Sequence, residues 1–200
     1  DFFVKGPIPY FTIVSDTFGC SPLRVEFDNQ STNANKYTWS FKDALSNTIT
    51  TLSDTNVYNI YEGGGLYAPF LTAESSEYDS KQGRNVTCRA VYPDTSVQTI
   101  RLVAVNATPV VAFGASNACT SFSINFTDSS TIDSGSITQY FWKFGDGNTS
   151  SLQNPTHIFA DTGTYAVTLF AYGSSGCFDS LQNTYQCISR CYEHLFIDHR

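Results

Sequence analysis

Catalysis needs groups that can move protons, attack carbon or hold a metal, and this sequence is poor in arrangements of them. Its three histidines are His157, His194 and His199. None belongs to an H-E-x-x-H pair, and the chain has neither a G-x-S-x-G elbow nor a G-x-x-x-x-G-K phosphate loop. Asp43 and Asp146 fall on corresponding hairpins in different halves of the chain, where a solvated turn residue is the expected role. Asp16, Asp28, Asp128 and Asp146 are candidate Ca²⁺ ligands, but the chain lacks the acid density of an EF-hand loop. The residues therefore predict a non-enzymatic chain with no resident cofactor, calcium being the one candidate ion.

Six cysteines stand at Cys20, Cys88, Cys119, Cys177, Cys187 and Cys191. An even number scattered without a C-x-x-C pair reads as disulfides made in an oxidising compartment, with 15 pairings open. A metal site at Cys187, Cys191 and His194 is the weaker reading. Five N-x-S/T sequons, at Asn29, Asn85, Asn106, Asn125 and Asn148, are candidate glycan acceptors in a host that glycosylates asparagine.

The composition narrows the partners. Only 14% of residues are charged and the net charge is −7. A basic stripe for phosphate backbones is absent, which argues against nucleic acid. The same acidity argues against anionic membranes, and no apolar run reaches the ~20 residues of a membrane span. The chain contains no Met and starts at Asp1, as expected of a processed or excised piece of something longer.

The elements that must position any site are strands. Runs rich in Val, Ile, Tyr, Phe and Thr, separated by Gly, Asn, Asp, Ser and Pro, fall at 9–14, 22–27, 36–41, 97–105, 109–113, 121–127, 138–144 and 164–172. Phe122, Ile124 and Phe126 alternate, as do Tyr165, Val167, Leu169 and Ala171, so each set shares one sheet face. A single short helix is predicted in Tyr192–Arg200. The chain also repeats itself. Cys20-Ser-Pro-Leu-Arg-Val-Glu-Phe27 matches Cys119-Thr-Ser-Phe-Ser-Ile-Asn-Phe126, and Tyr37-Thr-Trp39-Ser-Phe41 matches Tyr140-Phe-Trp142-Lys-Phe144. Asn59, Tyr61, Gly65, Tyr67 and Leu71 match His157, Phe159, Gly163, Tyr165 and Leu169. Two tandem β-sandwiches are predicted, over 1–107 and 108–188, with a tail at 189–200 and a seam near Asn106 to Pro109.

Three spaced blocks carry a more specific likeness: Trp142-Lys-Phe144-Gly145-Asp146-Gly147, Asn154-Pro-Thr-His157-Ile-Phe159 and Gly163-Thr-Tyr165-Ala-Val-Thr-Leu. Together they resemble the polycystic kidney disease (PKD) domain, an immunoglobulin-like β-sandwich, over about 108–188. The resemblance implies that Trp142 fills the core, that Gly145-Asp146-Gly147 makes a tight hairpin, that Tyr165 forms a tyrosine corner and that His157 packs. The first half is a degenerate copy. Lys42-Asp43-Ala44 replaces Gly-Asp-Gly, Asn59 stands at the histidine position, Pro69 suggests an edge or bulge, and 72–85 reads as extra sequence. By position within the resemblance, Cys119 pairs with Cys177 and Cys20 with Cys88. That leaves Cys187 and Cys191 for a local bridge or another chain.

The resemblance implies an extracellular or cell-surface spacer, adhesion unit or polymer-binding accessory. Low charge and the apolar start Phe2, Phe3 and Val4 favour self-association into a surface filament, layer or adhesin, with those three residues as the assembly contact. The alternative is an accessory carbohydrate- or protein-binding module of a secreted hydrolase, for which Tyr92, Tyr172 and Tyr192 are the candidate exposed aromatics.

Overall fold

Where apolar residues alternate with hydroxyl and amide side chains, the backbone extends and pairs. The computed structural model of the chain describes residues 6–43, 47–93, 102–116 and 123–187, all strand and turn. It divides into two units, Asp1–Ala107 and Thr108–Arg200.

The first unit holds β1 (Phe11–Ile13), β2 (Phe18–Cys20), β3 (Leu23–Asn29), β4 (Lys36–Ser40), β5 (Thr48–Thr51), β6 (Val57–Tyr61), β7 (Gly65–Tyr67), β8 (Phe70–Asp79), β9 (Arg84–Tyr92) and β10 (Val103–Asn106). A β1-β3-β6 sheet and a β5-β4-β8-β9 sheet enclose a core of Phe11, Val25, Phe27, Trp39, Phe41, Tyr61 and Leu71. A third small sheet has the order β2-β10-β7, with β2 and β10 parallel. The second unit holds β11 (Phe113–Ala115), β12 (Ile124–Asp128), β13 (Ile137–Lys143), β14 (Thr149–Ser150), β15 (Thr156–His157), β16 (Gly163–Gly173) and β17 (Phe178–Cys187). Its sheets are β11-β12-β15 and β14-β13-β16-β17, around Phe113, Ile124, Phe126, Trp142, Phe144, Phe159, Val167 and Leu169. Each unit is an immunoglobulin-like sandwich.

The repeat holds at the level of register. Trp39 lies opposite Leu71 and Trp142 opposite Leu169. Both indoles are fully buried, each against a phenylalanine two residues on, Phe41 or Phe144. They differ at the ring nitrogen. Trp142 Nε1 donates to the Leu152 carbonyl at 2.9 Å, whereas Trp39 Nε1 is buried without an acceptor.

Two expectations about the first half are corrected. The supposed extra sequence at 72–85 is a long hairpin, in which β8 and β9 pair from Leu71–Tyr92 out to Asp79–Arg84. The outer half of β8 is Glu-Ser-Ser-Glu-Tyr-Asp, with no β-branched residue, so strand propensity gives little signal on that side of the hairpin. Pro69 does more than mark an edge. In the second unit β16 runs unbroken from Gly163 to Gly173, while in the first Ala68-Pro69 separates β7, which pairs with β10, from β8, which pairs with β4 and β9. A proline cannot donate to a ladder, and the strand divides there between two sheets. The strand expected at 97–105 is described only as β10. Of that expected at 109–113, Val110 makes an isolated bridge to Thr131 and regular pairing starts at Phe113.

Candidate functional site

The motif residues come together in one cluster in each sandwich. Gly145 has φ +84° and Gly147 φ +94°, a region costly for residues with a Cβ. Between them Asp146 turns back, accepting hydrogen bonds from the Asn148 main chain (3.0 Å) and side-chain amide (3.0 Å). His157 Nε2 lies 2.8 Å from the same carboxylate. The imidazole stacks on Phe144 at 4.0 Å and meets Phe159 edge-on at 4.6 Å. Phe159 stacks on Tyr165, whose hydroxyl donates to the Asp161 carbonyl at 3.0 Å, a tyrosine corner following Gly163. His157, its side chain 10% exposed, is thus a layer in an aromatic column.

The first unit keeps this device with different residues. Lys42 takes the positive φ, at 57°. Asp43 accepts from the Asn47 main chain and amide, and Asn59 Nδ2 donates to it at 3.1 Å where His157 serves in the other copy. Tyr61 packs at a tilt on Tyr67, 4.6 Å between ring centroids, and Tyr67 donates to the Gly63 carbonyl at 2.8 Å. Recurrence with altered groups marks both clusters as architecture.

Burial tends to raise the Asp146 carboxyl, but hydrogen bonds from Asn148 and His157, with the His157 charge, outweigh it and hold the group below its ordinary value. A depressed folded-state pKa contributes stability that is fully present above the unfolded carboxylate value, about 4, and lost as pH falls through the lower folded value. Thermal unfolding followed from pH 7 to 2 is expected to show this loss below about pH 4. Asp146→Asn, which cannot titrate, should flatten that part of the profile. An unchanged acid limb would assign the loss to other carboxylates.

The surface with chemistry to offer is the outer face of the β14-β13-β16-β17 sheet. Because Trp142, Val167, Leu169 and Ala171 point inward, Gln139, Phe141 and Lys143 on β13 and Thr168, Phe170 and Tyr172 on β16 point outward. Phe141 lies directly opposite Phe170, with ring centroids 6.1 Å apart. Tyr172 lies opposite Phe178 on β17, stacked at 5.2 Å. The Lys143 ammonium sits 5.2 Å from the Phe170 ring and 5.9 Å from Phe141. Ser180, Gln182 and Thr184 continue the face across β17. Phe178 is 55% exposed; Phe141, Phe170 and Tyr172 are half-buried. Four rings in two cross-strand pairs thus line one sheet face, set among hydroxyls and amides with the Lys143 cation. At the matching positions the first unit has Thr38, Thr72 and Glu74, with Glu74 paired to Lys36 at 2.8 Å. Among the described residues, the first unit has no aromatic side chains at these matching positions.

Of these rings, sequence reasoning singles out Tyr172 and misses Phe141, Phe170 and Phe178. The signal was present in Phe141 and Phe170, which flank the core positions Trp142 and Leu169 at odd spacing. Tyr92 is corrected: its ring packs at 5.0 Å from Tyr10 and 5.3 Å from Phe11 against the first core. Tyr192, Phe2, Phe3, Val4, His194, His199, Ala44 and the tail at 189–200 lie outside the described residues.

Cys20 and Cys177 each take part in a disulfide. The expected Cys20–Cys88 bridge is corrected, because Cys88 is a free, half-buried thiol. The two residues sit in different sheets, Cys88 in β9 opposite Ser75 and Cys20 at the exposed end of β2. Cys119 and Cys191 lie outside the described residues, and with them the expected Cys119–Cys177 pairing; Cys187 is buried at the end of β17. Among the sequons, Asn85, Asn125 and Asn148 are exposed and Asn106 is half-buried. Asn29 is corrected as a glycan acceptor, since its Nδ2 is enclosed. Among the described residues no three His, Cys, Asp or Glu side chains come together as a metal site. Asp28 and Asp128 instead accept from Gln30 and from Ser130 and Gln153; Asp16 is exposed.

The sequence profile of the PKD domain family matches residues 106–188. Collagenase ColA of Bacillus cereus is 42% identical over 50 residues, which are 25% of this chain and 5% of that protein. The microbial collagenase of Vibrio alginolyticus is 28% identical over 142 residues, 64% of this chain and 17% of that protein. The chain therefore spans a small part of the length of these relatives. Among solved structures, the PKD1 domain of the Vibrio cholerae metalloprotease PrtV is 30% identical with a TM-score of 0.39, covering 41% of this chain and 99% of that domain.

Proposed function

We propose, from the premise that residues 106–188 are a PKD domain, that this non-catalytic module serves a larger secreted hydrolase by holding it on a polymeric protein substrate. The observation that carries the reading is the aromatic face of Phe141, Phe170, Tyr172 and Phe178. Flat rings take up extended chains by stacking, at little entropic cost because each ring has two side-chain torsions. Proline-rich, extended polypeptides are bound by aromatic-lined surfaces in this way. The hydroxyls and amides around the rings can exchange hydrogen bonds with backbone carbonyls. The likeness to two collagenases favours a fibrous protein such as collagen over a polysaccharide. Secretion fits the disulfides at Cys20 and Cys177.

Co-sedimentation with insoluble collagen, cellulose and chitin tests this. The parent chain should be retained on collagen, and Phe141→Ala/Phe170→Ala should lose at least about 10-fold in affinity, as central aromatic anchors do. Both rings are outside the core, so circular dichroism should be unchanged. Retention on cellulose or chitin alone would move the reading to a carbohydrate module. Retention on none of the three, with the chain polymerising by itself, would put a surface filament or adhesin first.

A further inference from the structure

We infer that Lys143 is a specificity-determining residue that recognises a carboxylate, so that the partner of the aromatic face is an extended polypeptide carrying acidic side chains; this rests on the reading of that face as a polymer-binding surface. Among the described residues of the second unit, Lys143 is the only lysine or arginine. The same residues include Asp128, Asp133, Asp146, Asp161 and Asp179. None of those carboxylates pairs with it, because the ion pairs among the described residues are Arg24–Glu26, Lys36–Glu74 and His157–Asp146. None shares its sheet face either. Asp179 lies on β17 opposite the inward-pointing Ala171, Asp128 ends β12 in the other sheet, and Asp133, Asp146 and Asp161 stand in loops between strands.

The contrast with the first unit is direct. There the outer-face lysine, Lys36, lies opposite Glu74 and pairs with it at 2.8 Å. Lys143 is flanked by Thr149 of β14 and Thr168 of β16, with Gln182 of β17 next in the row. That row offers hydroxyls and an amide but no acid. The rings of Phe170 and Phe141, 5.2 and 5.9 Å from the exposed ammonium, attract its charge without neutralising it. By keeping water from one side they also lower the local dielectric, which strengthens its pull on an anion that a ligand brings. The spacing sets the pattern of that ligand. From Lys143 to Gln139, beside the Tyr172–Phe178 pair, β13 covers about 14 Å at ~3.4 Å per residue. An extended chain rising ~3.1 Å per residue along the strands covers that distance in roughly four to five residues. A proline or aliphatic residue on the far rings and a glutamate or aspartate that many residues away would engage both ends of the face.

Co-sedimentation of the full chain with insoluble collagen, and with the same collagen after amidation of its carboxyl groups, tests this. At low salt the parent is expected to bind native collagen about 3- to 5-fold more tightly than amidated collagen, the upper range for an exposed ion pair. The difference should fade as salt approaches about 1 M, where the screening length is ~3 Å. Lys143→Gln should lose the preference and Lys143→Arg should keep it. Thr168→Glu sets an acid opposite Lys143, as Glu74 stands opposite Lys36, and should lose the preference as Lys143→Gln does. Phe141→Ala/Phe170→Ala should weaken binding to both collagens. Equal binding of the parent to the two collagens, or a preference that survives in Lys143→Gln, would overturn the role of Lys143 while leaving polymer binding by the rings intact. Retention of the parent on alginate, an acidic polysaccharide, in place of collagen would assign the lysine to uronate and overturn the polypeptide partner. Retention on none of these would overturn the polymer-binding reading as well. Circular dichroism of each variant separates lost binding from lost folding.

Discussion

Trp142→Ala is expected to destabilise the second sandwich by about 3–5 kcal/mol, the range for truncating a large buried aromatic. The indole is fully enclosed and is the largest side chain in its core. It meets Phe113 edge-on at 5.0 Å, Phe126 at 5.6 Å and Phe144 in a parallel stack at 6.5 Å. Those three rings come from both sheets, so the cavity would open where the sheets meet and could not be closed by one side chain turning. The hydrogen bond from Nε1 to Leu152 also disappears, but Leu152 is 64% exposed and its carbonyl can turn to water. Most of the loss should therefore be packing, and Trp142→Phe should recover a substantial part of it. Urea unfolding monitored by circular dichroism measures both. A loss below about 1 kcal/mol would mean that the core collapses around the gap.

Gly145→Ala should be the most damaging single-methyl addition, at about 2–3 kcal/mol. Two costs combine. The backbone sits at φ +84°, and a Cβ built there would fall 2.7 Å from the Ala166 carbonyl oxygen and 2.9 Å from its amide nitrogen. The obstacle is the backbone of β16, held at Ala166 by its pairing with Thr184 of β17, so it cannot swing away as a side chain would. Gly147→Ala makes a matched control: its φ is +94° and its added methyl meets nothing within 4 Å, so it should cost only the conformational part. Equal losses for the two variants, read from the same urea titrations, would show that the close approach to Ala166 relaxes freely.

The contrast between Gly145 and Lys42 also shows what the sequence revealed and what it concealed. Gly-Asp-Gly announces its own backbone, because few other residues tolerate those angles, and the hairpin was legible. Lys42 adopts a similar angle with no such advertisement. The core was legible for a related reason: Phe27, Trp39, Phe126 and Trp142 recur in one register, and repetition isolates the buried positions from a background rich in aromatics. The second half of the first sandwich was obscure because Pro69 moves half a strand to another sheet and the β8–β9 hairpin is largely polar. The aromatic face was hidden differently. Phe141 and Phe170 have the same residue type as core side chains, and only the parity of their spacing from Trp142 and Leu169 shows that they point to solvent. The Cys20–Cys88 expectation failed because the resemblance carried position along the chain but not the sheet each cysteine occupies.

The parallel pairing of β2 with β10 has a mechanical consequence. Phe18, Gly19 and Cys20 run alongside Ala104, Val105 and Asn106, so a strand near the start of the first unit lies beside the one that leads out of it. If the chain is drawn taut from its ends, the load passes along both strands in opposite senses, and their hydrogen bonds are sheared together instead of being peeled one at a time. Resistance to such a pull depends on the height of an unfolding barrier and not on equilibrium stability. The pairing of β2 with β10 thus resists extension by shear, the geometry in which strand hydrogen bonds share a load.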